Sequence, residues 1–589
     1  MKIAGPILLM LLLLVSGVQA ETQPLAQEPS RIAERGWGDQ PLVSAGGERV
    51  DISPDDRVDK LLTTFAKDTP GLVLAVMLEG EPVMVRAAGM ADLTHGVSFD
   101  ADTPTNIGST AKQFLGLALA LLIERGEIEL DEDVRRYLPE LPEFDHVVTL
   151  RHLASHTSGY REILNTLALA GWRLDKGDHI RAEEAFTVVV RQPALQNEPG
   201  GEWNYNNTGY VLLAEVIARV SGQPFEQFLA ERIFQPLGMS STVIRADSEL
   251  IVPGRAAGYS PRKEGFAASP DLTGTVGAGS VYTTANDMLR WMNQLIDFRI
   301  GGLEARKLMT TPFEMNDGRS SRYGLGLQVD EYRGLERWHH GGGDIAHRAH
   351  FVFYPEKRGG YLVFSNHAEL PASIAEDLNE IFFSRYFKQA EPDTDKSSAE
   401  PAMEAFDPAA YRGDAFERYI GRYELENAPG MVLRFFRDGE RLMTQATGQP
   451  AFEIEPVASH RFRIVDAPIE VSFEMGADGS ASGLTLHQNG DHPGHRLADE
   501  EELIDFSVYT GRYYSEELET FYSIRSGQAG LELIHRRFDP IALSHGNADR
   551  FAGEFPIHEL VFERDDAGRV VALRVSNVRT RDVRFERVN

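Results

Sequence analysis

"NIGSTAKQF", residues 106–114, sets Ser109 and Lys112 three apart at the head of a long apolar run, FLGLALALLIERG. Asn106 or Gly108 can open a helix there and Gly126 can close it. Residues i and i+3 share a helix face, so the hydroxyl and the amine lie within mutual reach. A serine hydroxyl is a weak nucleophile until a base takes its proton. A lysine serves as that base when burial disfavours its ammonium form. The helix N-terminus also turns backbone N–H groups and the positive dipole end toward a developing oxyanion. A serine cap beside a solvated lysine gives the same four letters, so the pair gains meaning only from the rest of the chain.

Two further stretches supply it. In PGGEWNYNNTGYVLLAEVIARVSG (199–222), Tyr205 and Asn207 occupy a polar turn before an amphipathic helix expected over 210–220, with Gly222 as its stop. Tyrosine can relay the serine proton, and asparagine can hold both a substrate amide and the lysine. The bland reading is a packed tyrosine and an Asn cap. In RWHHGGGDIAHRAHFVFYP (337–355), His339 and His340 alternate faces if extended, so at most one faces a cleft. The glycines after them allow a backbone to approach a ligand closely. A metal reading of His339, His340, His347 and His350 lacks a carboxylate-flanked helical pair such as H-E-x-x-H. No metal site is expected.

The rest of the chain frames these motifs. GLVLAVMLEGEPVMVRAAG (71–89) reads as two apolar strands around a turn at 79–82, and VDKLLTTFAK (58–67) has helical spacing. Strand patterns return at YGLGLQVD (323–330), RAHFVFYP (348–355) and GGYLVFSN (359–366). Strands near both ends with helices between them predict an α+β domain over 50–390 whose sheet joins its two ends. Residues 391–408, rich in Glu, Asp, Pro and Ser, read as a linker. Beyond it YIGRY (419–423), HRF (460–462) and SFEMGADG (472–479) are echoed by YTGRY (509–513), DRF (549–551) and VFERDDAG (561–568). Two copies of one all-β, barrel-like unit are expected, over 409–500 and 505–589.

Composition bounds the function. The 589 residues carry a formal charge of −30, which repels nucleic acid and anionic membrane surfaces. There is no cysteine, which excludes a thiol nucleophile, thiolate metal sites and disulfides. MKIAGPILLMLLLLVSGVQA (1–20) has the layout of a cleavable export signal, so a periplasmic or secreted protein is expected, with no stable membrane insertion after cleavage.

The order S-x-x-K, Y-x-N, H-x-G, with HLASHTSGY (152–160), IFQPLGMSST (233–242) and GAGSVYTTANDMLRWM (277–292), resembles the class C β-lactamase and penicillin-recognising serine hydrolase family over roughly 50–390. The resemblance implies that Ser109 is the nucleophile and Lys112 a base sharing protons with Tyr205. It implies that Asn207, His340 and Gly342 bind substrate and that the N–H groups of Ser109 and Gly343 form the oxyanion hole, with no cofactor. His340 stands where many members carry a lysine that binds a substrate carboxylate. That departure, with the tandem β tail, points toward a D-aminopeptidase- or esterase-like member acting on a small peptide, amide or ester. A β-lactamase or D,D-carboxypeptidase is the enzymatic alternative. A non-catalytic ligand-binding homologue is the rival of another class.

Overall fold

The computed structural model describes residues 53–388 and 407–588, except 272–273, 372, 412, 428–430, 440, 447–450, 466, 468, 489, 498–504, 528–529 and 547, and adds the short strands Leu42–Val43 and Arg49–Val50. The expected export signal and residues 391–406 of the expected linker lie outside the described residues. The chain forms two compact units: Glu28–Ala168 with Trp172–Glu391, and Pro392–Asn589 with Leu169–Gly171.

The first unit is built on six antiparallel strands. In chain order these are β1 (Leu72–Leu78), β2 (Glu81–Ala88), β3 (Gln328–Tyr332), β4 (Leu335–Gly343), β5 (Arg348–Tyr354) and β6 (Gly359–Ser365). In space they run β3-β4-β5-β6-β1-β2, so the sheet joins the two ends of the domain, as the strand pattern predicts. The unbroken apolar run of β1 follows from burial on both faces. Val73, Ala75 and Met77 enter the main helical core, while Leu72, Leu74, Val76 and Leu78 enter a second core. Val58 and Leu62 of helix α1 (Pro54–Leu62) and Ile374 and Leu378 of helix α5 (Ser373–Leu378) close that second core. Helix α1 starts and stops earlier than the 58–67 pattern predicts, because Ser53 caps it by accepting the Asp56 N–H at 3.1 Å. Likewise β3 begins only at Gln328. The preceding residues use their backbone in a turn, with the Gly324 N–H donating to the Leu327 carbonyl at 2.9 Å.

The helices on the other face include α2 (Lys112–Glu124), α3 (Thr208–Ser221) and α4 (Ala285–Asp297). Helix α2 is apolar on all sides because it runs through the core, where the Phe114 ring meets Trp291 edge-on at 4.7 Å.

The second unit holds two closed eight-stranded antiparallel barrels, from Gly421–Leu425 to Asp491–Arg496 and from Gly511–Ser515 to Val583–Val588. The sequence echo has a physical basis in both. Tyr419 and Tyr423, like Tyr509 and Tyr513, are buried at the first strand of their barrel, and the second tyrosine donates to the carbonyl of the first, at 3.0 and 2.7 Å. Phe462 and Phe551 fill equivalent core positions.

Candidate active site

Ser109 sits in a 3₁₀ turn, Gly108–Ala111, that feeds directly into α2. The turn is pressed against the end of β4. A Cβ on Gly342 would fall 2.0 Å from the Ile107 carbonyl oxygen, and one on Gly108, whose φ is +49°, would fall 2.6 Å from the Gly343 nitrogen. Only glycine at these two places permits the approach. It brings the backbone of Gly343 beside that of Gly108, and Ser109 and Gly343 line one cavity.

Lys112 is wholly buried. Its Nζ donates to Ser109 Oγ at 3.0 Å, Asn207 Oδ1 at 2.9 Å and the Ala278 carbonyl at 2.7 Å. Burying an amine of this kind costs several kcal/mol unless hydrogen bonds offset it. The three partners differ chemically. The amide oxygen and the carbonyl can only accept, whereas the serine hydroxyl can also give a proton. Of these three bonds, the one to Ser109 can also run the other way, with the hydroxyl donating to Nζ.

The orientation of Asn207 is fixed from behind. Its Nδ2 donates to Glu162 Oε1 at 2.7 Å, and a carboxylate oxygen leaves no doubt which amide atom faces it. Asn207 occupies the cap position of α3 yet caps nothing with its side chain. The capping bond comes from Asn206, whose Oδ1 accepts the Gly209 N–H at 3.0 Å. The turn is stitched onto the 152–162 stretch: the Asn206 N–H donates to His156 Nδ1 at 3.2 Å and Thr208 Oγ1 to the Arg161 carbonyl at 2.6 Å. Tyr205 packs on His156, centroids 4.2 Å apart, and Lys112 Nζ stands 5.1 Å from its ring centroid.

His340 differs from the expectation of direct substrate contact. It is 3% exposed, and its ring turns to Tyr323. Nδ1 donates to the Gly341 carbonyl at 2.6 Å, so Nε2 accepts from the Tyr323 hydroxyl at 2.7 Å. Burial, helped by Lys112, pushes its pKa down to about 3, which leaves it neutral. The neighbouring His339 faces the other way, 3.3 Å from Asp330 Oδ2. The four imidazoles of the 337–355 stretch thus share no centre. His350 lies across from Gly341 on β5, and His347 joins Asp344 and Asp271. These last three bring possible ligand atoms within 4.8 Å of one another. Arg245 and Arg255 both reach Asp271 Oδ2 and already supply the positive charge that a cation would bring. Burial works to lower the His347 pKa, but the two aspartates outweigh it and raise it.

The structure therefore brings Ser109, Lys112, Tyr205, Asn207 and Gly343 together, and sets His340 and Gly342 behind them as supports of β4. The sequence pattern missed Glu162, Tyr323, Ser280 and Asp344. Ser280 stands inside a stretch that marked the family, and Tyr323 heads the strand pattern 323–330. Glu162 follows such a stretch and Asp344 stands inside 337–355 just past the H-x-G motif, and no local periodicity singles them out.

A buried amine bonded to a serine at a helix start, beside a glycine-edged strand, defines a serine hydrolase of the S-x-x-K kind. A family model described as Beta-lactamase matches residues 57–383, more than half of the chain, and the chain belongs to that family. Penicillin-binding protein 4* of Bacillus subtilis (strain 168) is 28% identical over 443 residues, covering 71% of this chain and 93% of its own length. A D-aminopeptidase of Gluconobacter oxydans (strain 621H) is 25% identical over 546 residues, covering 88% of this chain and 96% of its own length, so the match runs on into the barrels. Among solved structures, the octameric penicillin-binding protein homologue from Pyrococcus abyssi shares the fold, with a TM-score of 0.50 at 21% identity over 75% of this chain and 99% of that one. No helix among the described residues is long and apolar enough to cross a membrane.

Proposed function

We propose that this serine hydrolase is exported and cleaves a small amide, a peptide bond following a D-residue, through an acyl-enzyme on Ser109. The bond from Lys112 Nζ to Ser109 Oγ, beside bonds to Asn207 Oδ1 and the Ala278 carbonyl, is the observation that carries the reading. Lys112 takes the serine proton as Oγ attacks the carbonyl carbon. The backbone N–H groups of Ser109 and Gly343 receive the oxyanion. The proton passes to the leaving amine by way of Lys112 or Tyr205, and water then releases the acyl group. His340, neutral and turned to Tyr323, offers no fixed cation to a substrate carboxylate, which speaks against a dedicated β-lactamase or carboxypeptidase. The match to a D-aminopeptidase over 88% of this chain supports the amide reading.

Turnover of D-alanine p-nitroanilide, its L-enantiomer, p-nitrophenyl acetate and a chromogenic cephalosporin, with Ser109→Ala as blank, tests the proposal. The D-anilide should give the highest kcat/KM. A cephalosporin or ester turned over with higher kcat/KM than the D-anilide overturns the amide assignment.

A further inference from the structure

Ser280 is a cavity residue to which the three motifs give no task. It follows Ala278, whose carbonyl holds Lys112, by two positions, so the main chain keeps it beside the nucleophile's base. It is 3% exposed, and its Oγ has no hydrogen-bond partner among the described residues. A buried hydroxyl in that state is destabilising. Its φ is +64°, a left-handed conformation that carries a further strain cost for a serine. Both costs fall on one residue lining the cavity that Ser109 lines. Gly279 beside it adds no side chain, and a Cβ there would meet nothing nearer than 3.6 Å.

The same cavity is lined by Asp344, which directly follows Gly343. Its carboxylate is held by Asn106, whose Nδ2 donates to Oδ2 at 2.9 Å, by the Ile345 N–H, which donates to Oδ1 at 2.6 Å, and by His347, whose Nδ1 lies 3.4 Å from Oδ2. Asn106 Oδ1 in turn accepts the Gly108 N–H at 2.9 Å, so the acid is tied to the nucleophile's turn. Asp344 is the one charged residue among the described residues that line this cavity. A substrate carboxylate meets no lysine or arginine there, whereas an ammonium meets an acid and a hydroxyl acceptor.

We propose that Ser280 and Asp344 form the polar end of the acyl pocket and receive the free α-ammonium of the residue whose carbonyl Ser109 attacks. Ser280 Oγ accepts one N–H and the Asp344 carboxylate another. The inference rests on the amide reading above and adds the residues that make the enzyme require an unblocked N-terminus.

The test compares kcat/KM for D-alanine p-nitroanilide and N-acetyl-D-alanine p-nitroanilide in the full-length wild type, Ser280→Gly and Asp344→Asn, with a thermal melt of each. Glycine suits the left-handed backbone, so Ser280→Gly removes the hydroxyl while keeping the fold. The wild type should favour the free amine. That preference should drop about tenfold in Ser280→Gly, as expected for one lost hydrogen bond, and further in Asp344→Asn, where a charge is lost. A preference unmoved in both variants, an equal loss on both substrates, or a wild type indifferent to acetylation overturns the subsite and leaves the amide reading standing. A wild type that turns over neither anilide overturns both.

Discussion

Lys112 and His340 are two buried basic side chains in one site, and they end in opposite conditions. Lys112 is fully buried among acceptors, of which one, Ser109 Oγ, also has a proton to give. His340 is buried to within 3% between a hydroxyl and a carbonyl, and its low pKa leaves it neutral. Burial alone therefore does not make a catalytic base. The partners separate the two: Asn207 Oδ1 and the Ala278 carbonyl only accept from the lysine while Ser109 Oγ can also give a proton, whereas Tyr323 and Gly341 occupy both nitrogens of the histidine.

The largest break in this comparison should come from Lys112→Ala. Loss of the base should slow acylation by ~10³- to 10⁴-fold with the fold retained, read as the rate of acyl-enzyme formation with an activated substrate. Acylation at the wild-type rate would remove lysine from the mechanism. A smaller effect should follow from Glu162→Leu, which leaves Asn207 free to turn its amide. Losing a hydrogen bond to a carboxylate of about 1.5–3 kcal/mol should lower kcat/KM roughly 10- to 100-fold. Glu162→Gln keeps an acceptor facing Asn207 and should restore much of that loss. Equal activities in the two variants would show that the orientation of Asn207 does not matter.

The smallest change in rate, a few-fold at most, is expected for His340→Gln, and its signature lies in stability. The unfolded chain takes up a proton at this histidine below its ordinary value of 6.5, while the folded protein resists until about 3. The unfolded state thus binds more protons across that window, so stability falls as pH falls from 6.5 toward 3, by up to about 1.4 kcal/mol per pH unit from this residue. Urea midpoints at pH 7.5 and 4.5 should converge in His340→Gln relative to wild type. An unchanged acid loss would show that His340 is not the buried neutral group described.

Much of this was legible in the sequence, and the limits have physical causes. Ser109 and Lys112 are locked together by three residues of turn, and Tyr205 and Asn207 by a turn of their own, so short-range spacing carries them. The barrels announced themselves because the same buried tyrosine pair starts each one. Alternation along β4 says that one of His339 and His340 turns inward, but not that Tyr323 waits there. Glu162 reaches Asn207 across 45 positions of chain, and Ser280 and Asp344 come to Ser109 from far along the chain, at one cavity. Residues joined by tertiary packing alone leave no spacing to read.

The central claim is that Ser109 is the nucleophile activated by the amine beside it. Intact-protein mass spectrometry after treatment with a fluorophosphonate, followed by peptide mapping, tests it most directly. One adduct should form on Ser109, be absent in Ser109→Ala and form far more slowly in Lys112→Ala. A folded wild-type protein that takes up no adduct, or takes it up on another serine, would contradict the account.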